Sequence, residues 1–190
     1  MPSSPLVLAS ASPQRRAILE RLGVAFEVRA SGVPELEQGE PAELTVENAR
    51  RKASAVARPR EVVVGCDTIV ALDGVLYGKP ADEAAAESTL RALSGRAHEV
   101  VSGLVVLDDG RERSAVARTE VEFRDLSDEQ IAWYVALGEW RERAGGYAIQ
   151  GAGAALVRGV RGGYENVVGL PLPELIDLRP DLLRARAAPG

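Results

Sequence analysis

Two hydroxyls and two guanidinium groups stand together near the start of the chain, in Ser10-Ala11-Ser12-Pro13-Gln14-Arg15-Arg16. They follow the apolar run Leu6-Val7-Leu8-Ala9, which reads as a buried strand over residues 6–9. Ser12 suits an N-cap and Pro13 the first helical position. Ile18, Leu19 and Leu22 then recur at helical spacing, and Gly23 ends the run. A helix N-terminus at the carboxyl end of a strand, with hydroxyls, backbone N–H groups and arginines converging, is a seat for a phosphate-bearing ligand. An ordinary capped helix with solvated arginines would read the same way from these residues alone.

A second chemical feature is Asp67, which interrupts the apolar strand Val62-Val63-Val64-Gly65-Cys66-Asp67-Thr68-Ile69-Val70. A carboxylate there is costly unless it is paired, hydrogen-bonded or bound to a metal. Gly78-Lys79-Pro80 presents one lysine from a rigid turn, without the spacing of a Walker P-loop. Lys52 lies beside Arg51 on a helix, so the two must face different ways, one toward a cleft and one toward solvent. Glu35 shares an acidic loop with Glu37 and Glu40. In Ala144-Gly145-Gly146-Tyr147-Ala148-Ile149-Gln150-Gly151 the glycines permit close backbone approach, and the Gln150 amide both donates and accepts, as reading a nucleobase edge requires.

The elements that must position these groups alternate between helix and strand. Helices are expected at 13–22, 41–57, 82–93 and 127–137, the last opened by the capping box Ser127-Asp128-Glu129-Gln130. Strands are expected at 6–9, 25–30, 62–72, 97–107, 114–124, 154–160 and 164–168, with turns at Asp73-Gly74 and Asp108-Asp109-Gly110. The tail from Pro173 reads as helical. The pattern is mixed α/β: a sheet flanked by helices in one domain over 1–190, with a second lobe at about 97–145 and a central cleft between the lobes. Trp133 and Trp140 are expected to pack in the core.

Composition narrows the function. The chain has 190 residues and is 46% hydrophobic, enough for a full core. A net charge of −5 argues against general nucleic-acid binding. One cysteine, Cys66, excludes an internal disulfide, and one histidine, His98, excludes a multi-histidine metal site. There is no signal-peptide pattern and no apolar run near 20 residues, so a cytoplasmic protein without membrane contact is expected.

Six segments in order resemble the Maf family: Ser10 to Arg16, Cys66 to Val70, Gly78 to Pro80, Leu93 to His98, Gly145 to Gly151 and Asn166 to Pro171. The resemblance spans about residues 5–175. It implies an elongated sheet with a cleft, akin to the inosine-triphosphate pyrophosphatases. The implied reaction converts a nucleoside triphosphate and water into the monophosphate and pyrophosphate, with Mg²⁺ or Mn²⁺ as cofactor. Asp67 matches the family's catalytic aspartate. Ser10, Ser12, Arg15, Lys52 and Lys79 match substrate-binding positions, and Glu35 with Asp67 the metal-holding ones. Thr68 and Gln150 match specificity positions of members that prefer dTTP and UTP. Gln14 departs from the arginine usual there, which implies either a weaker specificity contact or a broader range, so the expected substrates are dTTP and UTP or a wider set that includes modified pyrimidine nucleotides. Arg143 stands where lysine is common, keeping charge but changing geometry, and Ser102 stands where threonine is common. A homodimer is expected. Two other readings are carried forward. One is a nucleotide-sensing regulator of septum formation without significant turnover. The other is a phosphatase releasing terminal phosphate.

Overall fold

In the computed structural model, which describes residues 6–183, β1 (Leu6–Leu8) leads through α1 (Pro13–Arg21) and β2 (Phe26–Val28) to the long helix α2 (Pro41–Val56). Then come β3 (Val62–Leu72), β4 (Val75–Tyr77), α3 (Glu83–Leu93), the hairpin β5 (Ala97–Asp108) and β6 (Arg111–Phe123), and α4 (Asp128–Ala136). Finally β7 (Val157–Arg161), α5 (Tyr164–Val168) and α6 (Leu172–Leu178) follow a glycine-rich stretch. Among the described residues the strands form one mixed sheet in the order β2-β1-β3-β5-β6-β7, with β4 joined to β3. The β1–β2 and β1–β3 pairs are parallel and the other pairs antiparallel. The expected α/β architecture, a sheet flanked by helices, is what the chain forms.

The pairing of β3 creates the site. Strand β5 covers one edge of β3 from Val62 to Ala71. Consequently β1, at Val62–Val64, and β4, at Val70–Leu72, share the opposite edge. Between them, on that edge, residues 65–69 pair with no strand among the described residues, which leaves a gap in the sheet. Because β1 runs parallel to β3 and β4 antiparallel, the carboxyl ends of both point at this gap. The Ser10–Ser12 loop leaves from one lip and the Gly78-Lys79 turn from the other.

Helix α2 lies across the face of the gap. Thr45, Asn48, Ala49, Lys52, Ala53 and Val56 form its buried stripe. Two glycines let it lie close to the sheet. A Cβ on Gly65 would stand 2.1 Å from the Ala49 carbonyl oxygen, and one on Gly103 2.3 Å from the Thr45 carbonyl carbon. Gly65 and Asp67 share one face of β3 by alternation, and Gly103 pairs with Asp67 across the ladder. The close approach therefore brings the polar positions of α2 onto Asp67.

Several expectations are refined. Both strand turns are tight, with positive φ at Asp73 and Gly74 and again at Asp109 and Gly110, as two-residue hairpins require. The segment 164–168, expected as a strand, is helix α5. Its valines favour a strand locally, and docking overrides them: the buried Asn166 side chain donates to the Val100 carbonyl at 3.1 Å and to Thr119 Oγ1 at 3.0 Å. Residues 152–156 form a 3-10 turn, so the strand expected from 154 starts at Val157. Trp140 is buried, and its indole N–H donates to the Val135 carbonyl at 3.1 Å. Trp133, expected in the core, is 49% exposed instead. It falls off the helical stripe of Ile131, Tyr134 and Val135 that faces inward.

His98 sits in this core, 1% exposed, with edge-on contacts to Phe123 and Tyr147 and its Nε2 2.9 Å from the Tyr147 hydroxyl. Burial lowers its pKa from 6.5 to about 4. Between those values the unfolded chain takes up a proton that the folded one refuses. The stabilisation is therefore complete above pH 6.5 and disappears as pH falls toward 4, by about 3 kcal/mol in all. Urea titrations at pH 7 and pH 4.5 should show this loss, and His98→Gln should flatten it. An equal slope in the variant would remove His98 as the cause.

Candidate active site

Asp67 occupies the gap on the α2 face, 6% exposed. Its Oδ1 accepts from Lys52 Nζ at 2.6 Å and its Oδ2 from Asn48 Nδ2 at 3.0 Å. Asn48 is itself clamped to the acidic loop: its Oδ1 accepts from the Leu36 N–H at 2.8 Å and its Nδ2 donates to the Leu36 carbonyl at 3.0 Å. Lys52 also donates to Glu35 Oε1 at 2.6 Å. An ammonium has three N–H donors, so two hold the carboxylates and the third has no acceptor among the described residues. Lys79 lies 4.0 Å from Glu35 Oε1 and 3.4 Å from Glu142 Oε2. Burial pushes the Glu35 carboxyl up, but the hydrogen bond and charge of Lys52, with the charges of Lys79 and Arg15, bring it below the ordinary value. Glu35 is thus an anion at neutral pH.

On the other face of β3, Arg15 is 8% exposed and fixed at three points. Its Nε donates to the Gly169 carbonyl at 2.7 Å, Nη1 to Ser10 Oγ at 3.2 Å and Nη2 to Thr68 Oγ1 at 3.2 Å. All three acceptors are uncharged, so they orient the guanidinium without neutralising it. Thr68 Oγ1 lies 2.8 Å from Ser102 Oγ, so Ser102 braces Thr68. Ser12 caps α1, accepting from the Arg15 N–H at 3.5 Å and donating to Gln14 Oε1 at 2.9 Å. Ser10 Oγ accepts the Ser12 N–H at 3.1 Å. Cys66 is fully buried with its thiol on the Gly169 carbonyl at 3.4 Å, and burial raises its pKa. A thiol kept protonated and dry is no nucleophile.

These groups line one cleft of about 850 Å³. Ser10, Ser12, Gln14, Arg15, Glu35, Lys52, Asp67, Thr68 and Lys79 all reach it. Gln150 does not; it lines an adjoining groove of about 270 Å³ with Gln14, Arg21 and Tyr164. Gln14, Pro13 and Val168 belong to both walls, so the groove continues the cleft at the α1 lip. Asn48 was missed by sequence reasoning. Its signal was a polar residue one helical turn before Lys52, among the apolar Leu44, Ala49, Ala53 and Val56 of the inward face.

A family profile described as Maf-like protein matches residues 5–181. The chain belongs to the Maf family. Five of the six segments that carry the Maf resemblance supply lining residues of the cleft or its groove. The sixth stands behind them, where His98 holds the ring of Tyr147 against the wall. Among relatives, a dTTP/UTP pyrophosphatase of Deinococcus radiodurans is 46% identical over 176 residues, covering 91% of this chain and 90% of its own length. One from Symbiobacterium thermophilum is 46% identical over 180 residues, covering 91% of each chain. One from Pyrococcus furiosus is 43% identical over 177 residues, covering 91% and 93%. Among the described residues, no helix is long and apolar enough to cross a membrane.

Proposed function

We propose that the chain hydrolyses nucleoside triphosphates to the monophosphate and pyrophosphate, with dTTP and UTP as preferred substrates. The observation that carries this reading is Asp67. A buried carboxylate is held by an ammonium and an amide at the bottom of a cleft whose other walls present Arg15 and Lys79. Ligand binding alone needs the cations and not a base. Each carboxylate oxygen keeps a free lone pair, so Asp67 can take a proton from a water directed at phosphorus. Arg15 and the free N–H of Lys52 face the charge that develops on the transferred phosphoryl group, and Lys79 that on the departing pyrophosphate. The relatives' names support the nucleotide class. Gln14 and Gln150 support a base-edge reader, because their amides bring donors and acceptors to one groove.

Glu35 and Asp67 suit a divalent cation that shares its shell with phosphate oxygens and water, since both are hard oxygen donors. Among the described residues no group of three or more His, Cys, Asp or Glu side chains forms a protein-only site. The cleft lining supports the need for such an ion. Its four cations, Arg15, Lys52, Lys79 and Arg143, face four carboxylates, Glu35, Glu37, Asp67 and Glu142. Bound Mg²⁺ or Mn²⁺ would supply the charge neutralisation that a triphosphate requires. Pyrophosphate release from a nucleotide panel tests the reading. Turnover should be fastest on dTTP and UTP. It should fall at least about 100-fold in excess chelator and return with either ion. Full activity in chelator would remove the ion, and no release from any nucleotide would remove the reaction.

A further inference from the structure

Arg143 is a cleft residue that the reading above leaves without work. It lines the cavity, and its Nε is buried with no hydrogen-bond partner. Its only hydrogen bond among the described side-chain contacts runs from Nη1 to the Glu142 carbonyl at 3.4 Å. The Nε is shut inside the protein, so the reachable part of the guanidinium is its Nη groups, and no described carboxylate pairs with them, which leaves their N–H groups open to an acceptor in the cavity.

The backbone is built to hold it there. Glu142, just before it, has φ 60, a left-handed conformation that is strained for a non-glycine residue. The Arg143 N–H donates to the Trp140 carbonyl at 3.2 Å, and the Gly146 N–H to the Arg143 carbonyl at 3.0 Å. Next, the Gly145 N–H donates to the Gly78 carbonyl at 3.0 Å, tying this segment to the turn that carries Lys79. A Cβ at Gly145 would meet Val70 Cγ2 at 2.7 Å, so the segment lies directly on β3. Glu142 completes the tie through its ion pair with Lys79.

This placement gives the cleft a direction. Gln14 and Gln150 lie at the α1 lip, Asp67 in the gap, and Lys79 with Arg143 at the β4 lip. A nucleotide with its base at the first lip and its reacting phosphorus at Asp67 extends its remaining phosphates to the second. We infer that Arg143 binds the departing pyrophosphate, the β and γ phosphates of the substrate, as a second cation beside Lys79. The planar guanidinium suits two phosphate oxygens at once, which an ammonium does not. This inference rests on the proposed reaction for its substrate, but its test does not.

Calorimetric titration of inorganic pyrophosphate with Mg²⁺ into wild type, Arg143→Met and Arg143→Lys decides it. The methionine variant should bind pyrophosphate about 10- to 100-fold more weakly, with dTMP affinity unchanged and the lysine variant between. In turnover, KM for dTTP should rise more than kcat falls. Pyrophosphate affinity equal to wild type in Arg143→Met overturns the assignment, as does an equal loss for dTMP. Absence of turnover by the wild type on every nucleotide counts against the reaction and leaves the pyrophosphate comparison standing.

Discussion

Asp67→Asn is expected to fold and to turn over about 10²- to 10⁴-fold more slowly, the range for removing a general base. The substitution keeps size and shape. It removes one of the two acceptors that Lys52 and Asn48 now use, because an amide can offer its oxygen to one of them but not both. That loss costs about 1–3 kcal/mol, which lowers the melting temperature without preventing folding. Arg15, Lys52 and Lys79 remain in the cleft, so on the proposed reaction kcat should carry the defect and KM should move little. Steady-state kinetics on dTTP with a thermal melt of the same sample separate the two effects. A kcat close to wild type in the folded variant would show that the water is activated by something other than Asp67.

Gly65→Ala should be nearly as damaging to activity, for a steric reason. The added methyl would stand 2.1 Å from the Ala49 carbonyl oxygen and 3.0 Å from the Ala53 Cβ. Both belong to a helix that cannot yield locally, so α2 must lift as a body. Overpacking of this kind costs about 3 kcal/mol, or about 6–12 °C in Tm for a domain of this size. Since α2 carries Asn48 and Lys52, the same shift loosens their grip on Asp67 and depresses turnover in the remaining folded protein. Gly159→Ala is the control, because its Cβ would meet nothing within 4 Å and its φ is not positive. Equal melting temperatures for the two variants would show that the close approach of α2 is not required.

Much of this is legible in the sequence. Pro41 marked the start of α2, the valine run the start of β3, and the Asp-Gly pairs the hairpins. Local chemistry dictates these features, and the structure agrees within a residue or two. Ser12 as N-cap and Asp67 as a carboxylate in an apolar strand were equally visible, because each breaks a local pattern. The gap between β1 and β4 was not, since it depends on which strands share an edge of β3. Gly65 and Gly103 looked like ordinary strand glycines, and only their contact with α2 gives them meaning. Segment 164–168 was misread because valines favour strands locally, while Asn166 and its buried partners select a helix. Gln150 is visible in the sequence as an amide that both donates and accepts, but its place in the adjoining groove follows from tertiary contacts alone.

The most direct test of the central claim is product identity. Phosphorus NMR of dTTP incubated with the enzyme and Mg²⁺ should show dTMP and pyrophosphate rising together in equal amounts, with dTDP and orthophosphate absent. Appearance of dTDP with orthophosphate would mean that the terminal phosphate is removed instead, and would contradict the placement of the reacting phosphorus at Asp67.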